Sequence, residues 1–182
     1  MHQIITIRSL KEIDIDKVVK LDEISFGGLW NKAQFKRELN LPNSHFSVLS
    51  MDNDNCSEDK IVGMGCWRVI NKDVEIPMFA IAPNYQSQGV GSYFFAYLLK
   101  EMVEHDLRLA RLDVNVNNPR AIALYKKFGF RVFSTTSNFY KKTQEDAHQM
   151  MLPSLRDKYF QEQLRANYQK AYKRLQSKGL IN

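Results

Sequence analysis

Two short segments of this 182-residue sequence combine residue types that could bind an anion and move a proton. The first, Gln86-Ser87-Gln88-Gly89-Val90-Gly91, lies between a predicted strand and a predicted helix. Glycine lets the backbone approach a ligand closely, and a helix start presents unpaired N–H groups at the positive end of its dipole. Together these features predict a diphosphate cradle. An ordinary strand-to-helix turn has the same pattern, and the missing Gly-Lys-Ser/Thr excludes a P-loop.

The second segment runs from Asp113 to Phe130 and holds an acid, an amide and a phenol. Asp113 lies on a predicted strand, Asn118 precedes the next helix, and Tyr125 lies two turns into that helix. A carboxylate and a phenol that converge on one cleft can act as general base and general acid. For an isolated pair, the simpler interpretation is a solvated Asp113 and a core-packed Tyr125.

The spacing of apolar residues predicts the elements that must position these groups. The predicted order is β-α-α-β-β-β-α-β-α-β-β followed by one extra helix, which is a mixed α/β fold. Asn118 is the predicted cap of the helix that starts at Pro119, and Asn31 the predicted cap of an earlier one. Asp14 or Asp16 is expected to cap the first helix. The last two strands are predicted over residues 130–133 and 147–152, joined by a polar loop that includes residues 138–140.

Composition excludes several classes of protein. No apolar run approaches the roughly 18 residues of a membrane span, and the N-terminus lacks a signal-peptide pattern. The two cysteines, Cys56 and Cys66, match no ligand or redox spacing, and the four histidines match no metal motif. We therefore expect no metal site, no membrane partner and a cytoplasmic location, with Cys66 as a buried structural thiol.

The net charge of +6 is concentrated at one end of the chain. Residues 154–182 contain seven Lys and Arg against Asp157 and Glu162, a net +5, which leaves residues 1–153 at +1. This distribution predicts a near-neutral domain over 1–153 and a basic C-terminal helix over 154–182. An apolar stripe recurs every three or four residues along that helix: Phe160, Leu164, Tyr168, Ala171 and Leu175.

Four roles for this helix remain open on the sequence alone. Its stripe can pack on the domain, or it can form a homodimer. Its interleaved basic residues and tyrosines also suit a ribosome or RNA contact. A membrane-surface role is the weakest alternative, because the apolar face is rich in tyrosine and interrupted by alanine.

The two motifs together are more informative than either motif alone, because their combination is typical of one protein family. QxxGxG after a strand, followed by N-x-x-A-x-x-L-Y-x-x-x-G-F, resembles the GCN5-related N-acetyltransferase (GNAT) family. The likeness is strongest to its ribosomal-protein N-terminal (RimI-type) members. It covers roughly residues 3–152, most specifically 76–152. The resemblance implies a mixed, mostly antiparallel sheet and an acetyltransferase that uses acetyl-CoA.

The resemblance also implies a role for each residue of the two motifs. Acetyl-CoA would bind where the fourth and fifth strands splay apart. Backbone groups of Phe79, Ala80 and Ile81 would pair with its pantetheine arm, and an N–H near Ile81 would face the developing oxyanion. Asn118 would bond the same arm, and Tyr125 would lie near the thioester sulfur. The pyrophosphate would be held by Gln86, Ser87, Gln88, Gly89, Val90, Gly91 and Ser92.

In RimI-type enzymes an acidic residue on the fifth strand is the base and a tyrosine on the next helix is the acid. Asp113 and Tyr125 match those positions. The family residue is usually Glu, so the shorter Asp113 is expected to act through a bridging water. The companion Arg of those proteins is Asn115 here, which weakens the case for an identical peptide substrate.

Substrate contacts in such enzymes come from the loop between the first two helices and the loop between the last two strands. The corresponding aromatic residues are Phe26, Trp30 and Tyr140, although core packing explains Phe26 and Trp30 equally well. The favoured hypothesis is acetyl transfer to a protein or peptide α-amine. A small-molecule amine such as a polyamine, aminoglycoside or amino acid is the first alternative. The second is a non-catalytic CoA-binding module with a ribosome- or RNA-binding tail.

Overall fold

The computed structural model describes residues 4–51 and 59–182. Within these ranges seven strands form a single sheet with α-helices on both faces. The strands are β1 (Ile5–Ser9), β2 (Ser44–Met51), β3 (Lys60–Ile70), β4 (Asp73–Ile81), β5 (Ala110–Asn115), β6 (Arg131–Tyr140) and β7 (Glu145–Leu152). The helices are α1 (Ile15–Phe26), α2 (Lys32–Leu39), α3 (Val90–Glu104), α4 (Pro119–Lys127) and α5 (Lys158–Gln176). The predicted α/β class and element order are confirmed.

The sheet has the order β1-β2-β3-β4-β5-β7-β6. Neighbouring strands are antiparallel except β4 and β5, which run parallel. These two pair only at their first residues, Val74 with Ala110 and Glu75 with Arg111. From there the strands diverge, and one edge of β4 continues to Ile81 without a strand partner among the described residues. The sheet therefore opens at the carboxyl ends of its two central strands.

Apolar residues on the two faces of the sheet build two cores. One core joins α3, α4 and α5 to the sheet, and Phe94, Phe95 and Leu98 of α3 are fully buried in it. The other core lies beneath α1 and α2, where Phe35 and Val18 are fully buried. The two cores pack on both faces of the central strands, which include β4 and β5 on either side of the gap.

The C-terminal helix α5 is built into the first core. Leu164, Ala171 and Leu175 are buried there, and the Tyr168 ring stacks on Tyr93 of α3 with centroids 5.3 Å apart. After α5 the chain returns to the sheet, where the Leu180 carbonyl accepts a hydrogen bond from the Ile5 N–H at 2.7 Å. The predicted apolar stripe thus packs on the chain's own domain, and it is covered where a homodimer would need it exposed.

Local signals at the helix starts give mixed results. Asn31 forms a capping box with Gln34, as its position predicts. Asn118 caps α4 by accepting a hydrogen bond from the Ala121 N–H at 3.0 Å. Asp14 occupies the N-cap position of α1, but its side chain makes no cap bond. Its carboxylate accepts hydrogen bonds from the Arg8 guanidinium (2.6 Å) and from a backbone N–H instead.

The predicted C-terminal end of the strand before the last one was wrong. Residues 138–140 lie in β6, which continues to Tyr140 instead of ending near Phe133. Polar cross-strand pairs carry the extension, because Ser134 hydrogen-bonds to Gln149 and Thr135 to His148 on β7. Such an exposed edge strand shows little apolar alternation, so its length was hidden in the sequence.

The structure also bears on the expectations for the cysteines and for a membrane span. Cys66 is a fully buried free thiol, and burial raises its pKa, as expected of a structural cysteine. Cys56 lies outside the described residues. No helix within 4–51 and 59–182 is long and apolar enough to span a bilayer.

Candidate active site

The gap between β4 and β5 opens into a cavity of about 730 Å³. Its walls come from the end of α1, the end of β4, the loop that precedes α3, the first turn of α3, the whole length of α4, and one side chain of α5. Ten of the residues predicted to bind acetyl-CoA line it: Phe79, Ala80, Ile81, Gln86, Ser87, Gly89, Gly91, Ser92, Asn118 and Tyr125. The topology therefore brings the two sequence motifs to one site.

The loop before α3 forms an anion cradle. Gly89 is the N-cap residue of α3 at φ +101°, a backbone conformation that L side chains rarely adopt. Glycine has no side chain to cap the helix, so the first N–H groups of α3 keep no side-chain acceptor. These donors and the helix dipole favour a negatively charged group at this end of the cavity.

Side chains of the cradle loop fix its shape. The Gln86 amide donates a hydrogen bond to the Ile81 carbonyl at 2.7 Å and accepts one from the Arg120 guanidinium. Gln88 folds back onto the Asn84 carbonyl at 2.7 Å, and Val90 is fully buried in the core. Gln88 and Val90 are the two predicted cradle residues that do not line the cavity, so their role is to shape the loop.

Tyr125 presents a phenol to the inner end of the cavity. The residue is 6% exposed, and its ring packs on Phe95 and Phe130 with centroid distances of 5.2 and 6.1 Å. Among the described residues none hydrogen-bonds to its hydroxyl. Burial raises the pKa of Tyr125, and the nearby Tyr140 raises it further. The phenol therefore keeps its proton at neutral pH and can donate it.

Asp113 lies on the exposed side of β5, between the buried Leu112 and Val114, and does not line the cavity. Partial desolvation raises the pKa of its carboxyl. A hydrogen bond with Gln149 acts in the opposite direction, and Glu75 adds a further upward shift. Tyr125 thus lines the cavity and Asp113 lies outside it, and their joint role stays a prediction.

Tyr140 lies within electrostatic reach of both groups. Burial raises the pKa of Tyr140, and the charge of Asp113 raises it next, followed by that of Glu145. Tyr140 in turn contributes to the raised pKa of Tyr125. Tyr140 is therefore the residue that interacts electrostatically with both Asp113 and Tyr125.

The two predicted substrate loops meet beside the cavity. Lys142, in the turn between β6 and β7, donates a hydrogen bond to the Gly28 carbonyl of the α1–α2 loop at 2.9 Å. Phe26 lines the cavity and is 36% exposed. Trp30 packs instead on Phe35, with centroids 5.3 Å apart, and does not line the cavity.

Comparison with known proteins identifies the family of this chain. A sequence model of the acetyltransferase (GNAT) family matches residues 15–130. The chain belongs to this family. A Bacillus subtilis protein provisionally named a ribosomal protein bS18-alanine N-acetyltransferase is 34% identical over 143 residues, which cover 78% of this chain and 90% of that relative. The chain is an N-acetyltransferase with the fold that its motifs predicted.

Solved structures of acetyltransferases share this architecture. The ribosomal-protein-S18-alanine N-acetyltransferase of Escherichia coli superimposes with a TM-score of 0.72 at 24% identity, covering 83% of this chain and 94% of that one. A NatC complex bound to a Gag peptide and CoA gives a TM-score of 0.71 at 18% identity, covering 82% of this chain and 98% of that one. At these identities the likeness establishes the fold.

The acetyltransferase cavity also contains basic residues that the sequence interpretation missed. Arg120 and Lys127 of α4 and Arg174 of α5 all line it. Arg120 and Lys127 are seven residues apart on one helix, a spacing that places them on one face and could have been recognised. Arg174 had no such signal, because α5 lies beyond the family match. No group of three or more His, Cys, Asp or Glu within the described ranges is placed to hold a metal ion.

Proposed function

We propose that this acetyltransferase transfers an acetyl group from acetyl-CoA to the α-amine of a protein or peptide. The observation that carries the proposal is an edge of β4 with no strand partner among the described residues, which borders the same cavity as Gly89 of the anion cradle and Tyr125. The bS18-alanine N-acetyltransferases named above support a protein α-amine as the acceptor. A cytoplasmic location fits this acceptor and the sequence's lack of a disulfide framework.

The residues present fit acetyl-CoA, which supplies the activated acetyl thioester. The open backbone edge at Phe79 to Ile81 suits an extended amide-containing arm, since its N–H and C=O groups have no strand partner on that side. The N–H groups at the start of α3 suit the pyrophosphate, and Gln86 and Ser87 shape the loop that presents them. The Oδ1 atom of Asn118 caps α4, which leaves its amide nitrogen to donate into the cavity.

Proton transfer in this reaction is assigned to Asp113 and Tyr125, with Tyr140 beside them. The amine must lose a proton, and Asp113 accepts it through a water bridge, since the carboxylate is outside the cavity. We assign Tyr140 to the same path, because it interacts electrostatically with both Asp113 and Tyr125. Tyr125 holds its proton at neutral pH and delivers it to the leaving thiolate.

The junction of the α1–α2 and β6–β7 loops provides the acceptor site. Phe26 forms one apolar wall, and the Phe139 and Tyr140 rings, 5.1 Å apart, belong to the facing hairpin. Trp30 fixes the α1–α2 loop to α1, because its backbone N–H donates a hydrogen bond to the buried Asp22 carboxylate at 3.0 Å. The first residues of a peptide would lie between these loops.

An acceptor panel tests this function. We expect release of free CoA from acetyl-CoA with short unblocked peptides, and no release when the same peptides carry a blocked N-terminus. A polyamine, an aminoglycoside and free amino acids form the comparison group. Turnover confined to these small amines would contradict the peptide assignment. Tight CoA binding without turnover on any amine would contradict catalysis and favour the non-catalytic alternative.

A further inference from the structure

Basic side chains from two helices converge beside the anion cradle. Lys127 of α4 and Arg174 of α5 line the cavity. A Cβ placed on Gly89 would lie 3.3 Å from Cδ of Arg174, so this side chain is packed directly against the cradle backbone. Lys178 reaches the same loop and donates a hydrogen bond to the Gln88 carbonyl at 3.2 Å. The C-terminal helix therefore forms part of the cavity proposed to bind the acetyl donor, called the donor cavity below.

The positive charges of this cluster are not balanced within the described part of the chain. Arg174, Lys127, Lys170 and Lys178 form no ion pair there. Residues 165–182 contain five Lys and Arg and no Asp or Glu. Burial lowers the pKa of Lys127, and repulsion from Lys170 and Arg174 lowers it further. Clustered like charges cost free energy unless an anion joins them.

The guanidinium of Arg174 is free to meet such an anion. Among the described residues it has no hydrogen-bond acceptor, while its aliphatic carbons pack on Gly89. The planar guanidinium suits phosphate because it offers two parallel N–H donors. Lys127 is steadied nearby by a hydrogen bond from its ammonium to the Ser92 hydroxyl at 3.1 Å.

We propose that Arg174, aided by Lys127, binds the phosphate groups at the nucleotide end of CoA. This inference deepens the proposed function and depends on it, because the cradle and the arginine would share one ligand. It gives the basic C-terminal helix a role in the donor site. That helix begins beyond residues 15–130, which the family model matches.

Direct binding measurements test the inference without relying on activity. Calorimetric titration of the full chain with CoA is expected to show a dissociation constant about 10- to 100-fold weaker for Arg174→Ala, because a hydrogen bond to a charged group is lost. Arg174→Lys retains the charge and is expected to lose less. Lys173→Ala is the matched control, since this exposed neighbour on α5 does not line the cavity and should bind CoA as the native chain does.

A second ligand separates the phosphates. If Arg174 contacts the 3′-phosphate, the native and Arg174→Ala chains will bind 3′-dephospho-CoA equally. If it contacts the pyrophosphate, Arg174→Ala will weaken both ligands, and either pattern supports the inference. If Lys173→Ala weakens CoA binding as much as Arg174→Ala does, the effect comes from the overall positive charge of α5 and the inference is overturned. Tight CoA binding that Arg174→Ala leaves unchanged would also overturn the inference. Failure of the native chain to bind CoA would overturn the proposed function as well.

Discussion

Tyr125→Phe is expected to lower kcat by about 10²- to 10⁴-fold, the usual contribution of a positioned general acid. The substitution removes only the hydroxyl, so the ring keeps its contacts with Phe95 and Phe130 and the fold is retained. The dissociation constant for CoA should change little, because the cradle at Gly89 is untouched. Single-turnover rates and calorimetric titration of the same preparation measure the two quantities.

Tyr93→Phe provides the matched control for the loss of a buried phenol. Tyr93 lies in the same core but stacks on Tyr168 and does not line the cavity, so kcat should be unchanged. Asp113→Asn should have a smaller effect than Tyr125→Phe, about tenfold, because roughly a tenth of α-amines is already neutral at pH 7. Full activity in both Tyr125→Phe and Asp113→Asn would show that these residues do not carry the chemistry.

Leu175→Ala is expected to destabilise the whole protein by about 2–5 kcal/mol, as large-to-small changes in a core do. Leu175 is fully buried, and a Cβ placed on Gly89 would lie 3.8 Å from its Cδ2 atom. The loss should appear in the free energy of unfolding from urea denaturation as one cooperative transition. CoA binding should weaken too, because the helix that carries Arg174 packs through this leucine.

Gln176→Ala tests whether this effect comes from burial. Gln176 is the exposed neighbour of Leu175 in the last turn of α5, and its replacement should change the free energy of unfolding by less than about 0.5 kcal/mol. If α5 were an independent appendage to residues 1–153, Leu175→Ala would behave like Gln176→Ala, and the shared core would not contribute to stability.

The sequence predicted those parts of the fold that depend on local chemistry. Asn31 and Asn118 cap their helices because an Asn side chain can accept a bond from the first turn of either helix. Glycine occupies position 89, the N-cap of α3, because the backbone there has a positive φ. These requirements are set by residues close together in the chain, so one sequence is enough to recognise them.

The features that were missed depend on contacts between distant segments. The stripe on α5 identified an apolar face but not the surface it packs on, so Arg174 could not be assigned to the donor cavity. The length of β6 depends on pairing with β7, which polar residues such as Ser134 and Thr135 maintain. The spacing of Asp113 and Tyr125 likewise could not show that Tyr125 lines the cavity while Asp113 lies exposed on β5.

The position of the acetyl group on a peptide with two amines tests the central claim most directly. The acceptor is a peptide with a free α-amine and an internal lysine, acetylated at pH 7 and analysed by tandem mass spectrometry. About a tenth of α-amines but well under a thousandth of lysines are neutral at this pH. We predict acetylation at the α-nitrogen, reduced in parallel with kcat by Tyr125→Phe. Acetylation confined to the lysine, or unaffected by Tyr125→Phe, would contradict the assignment.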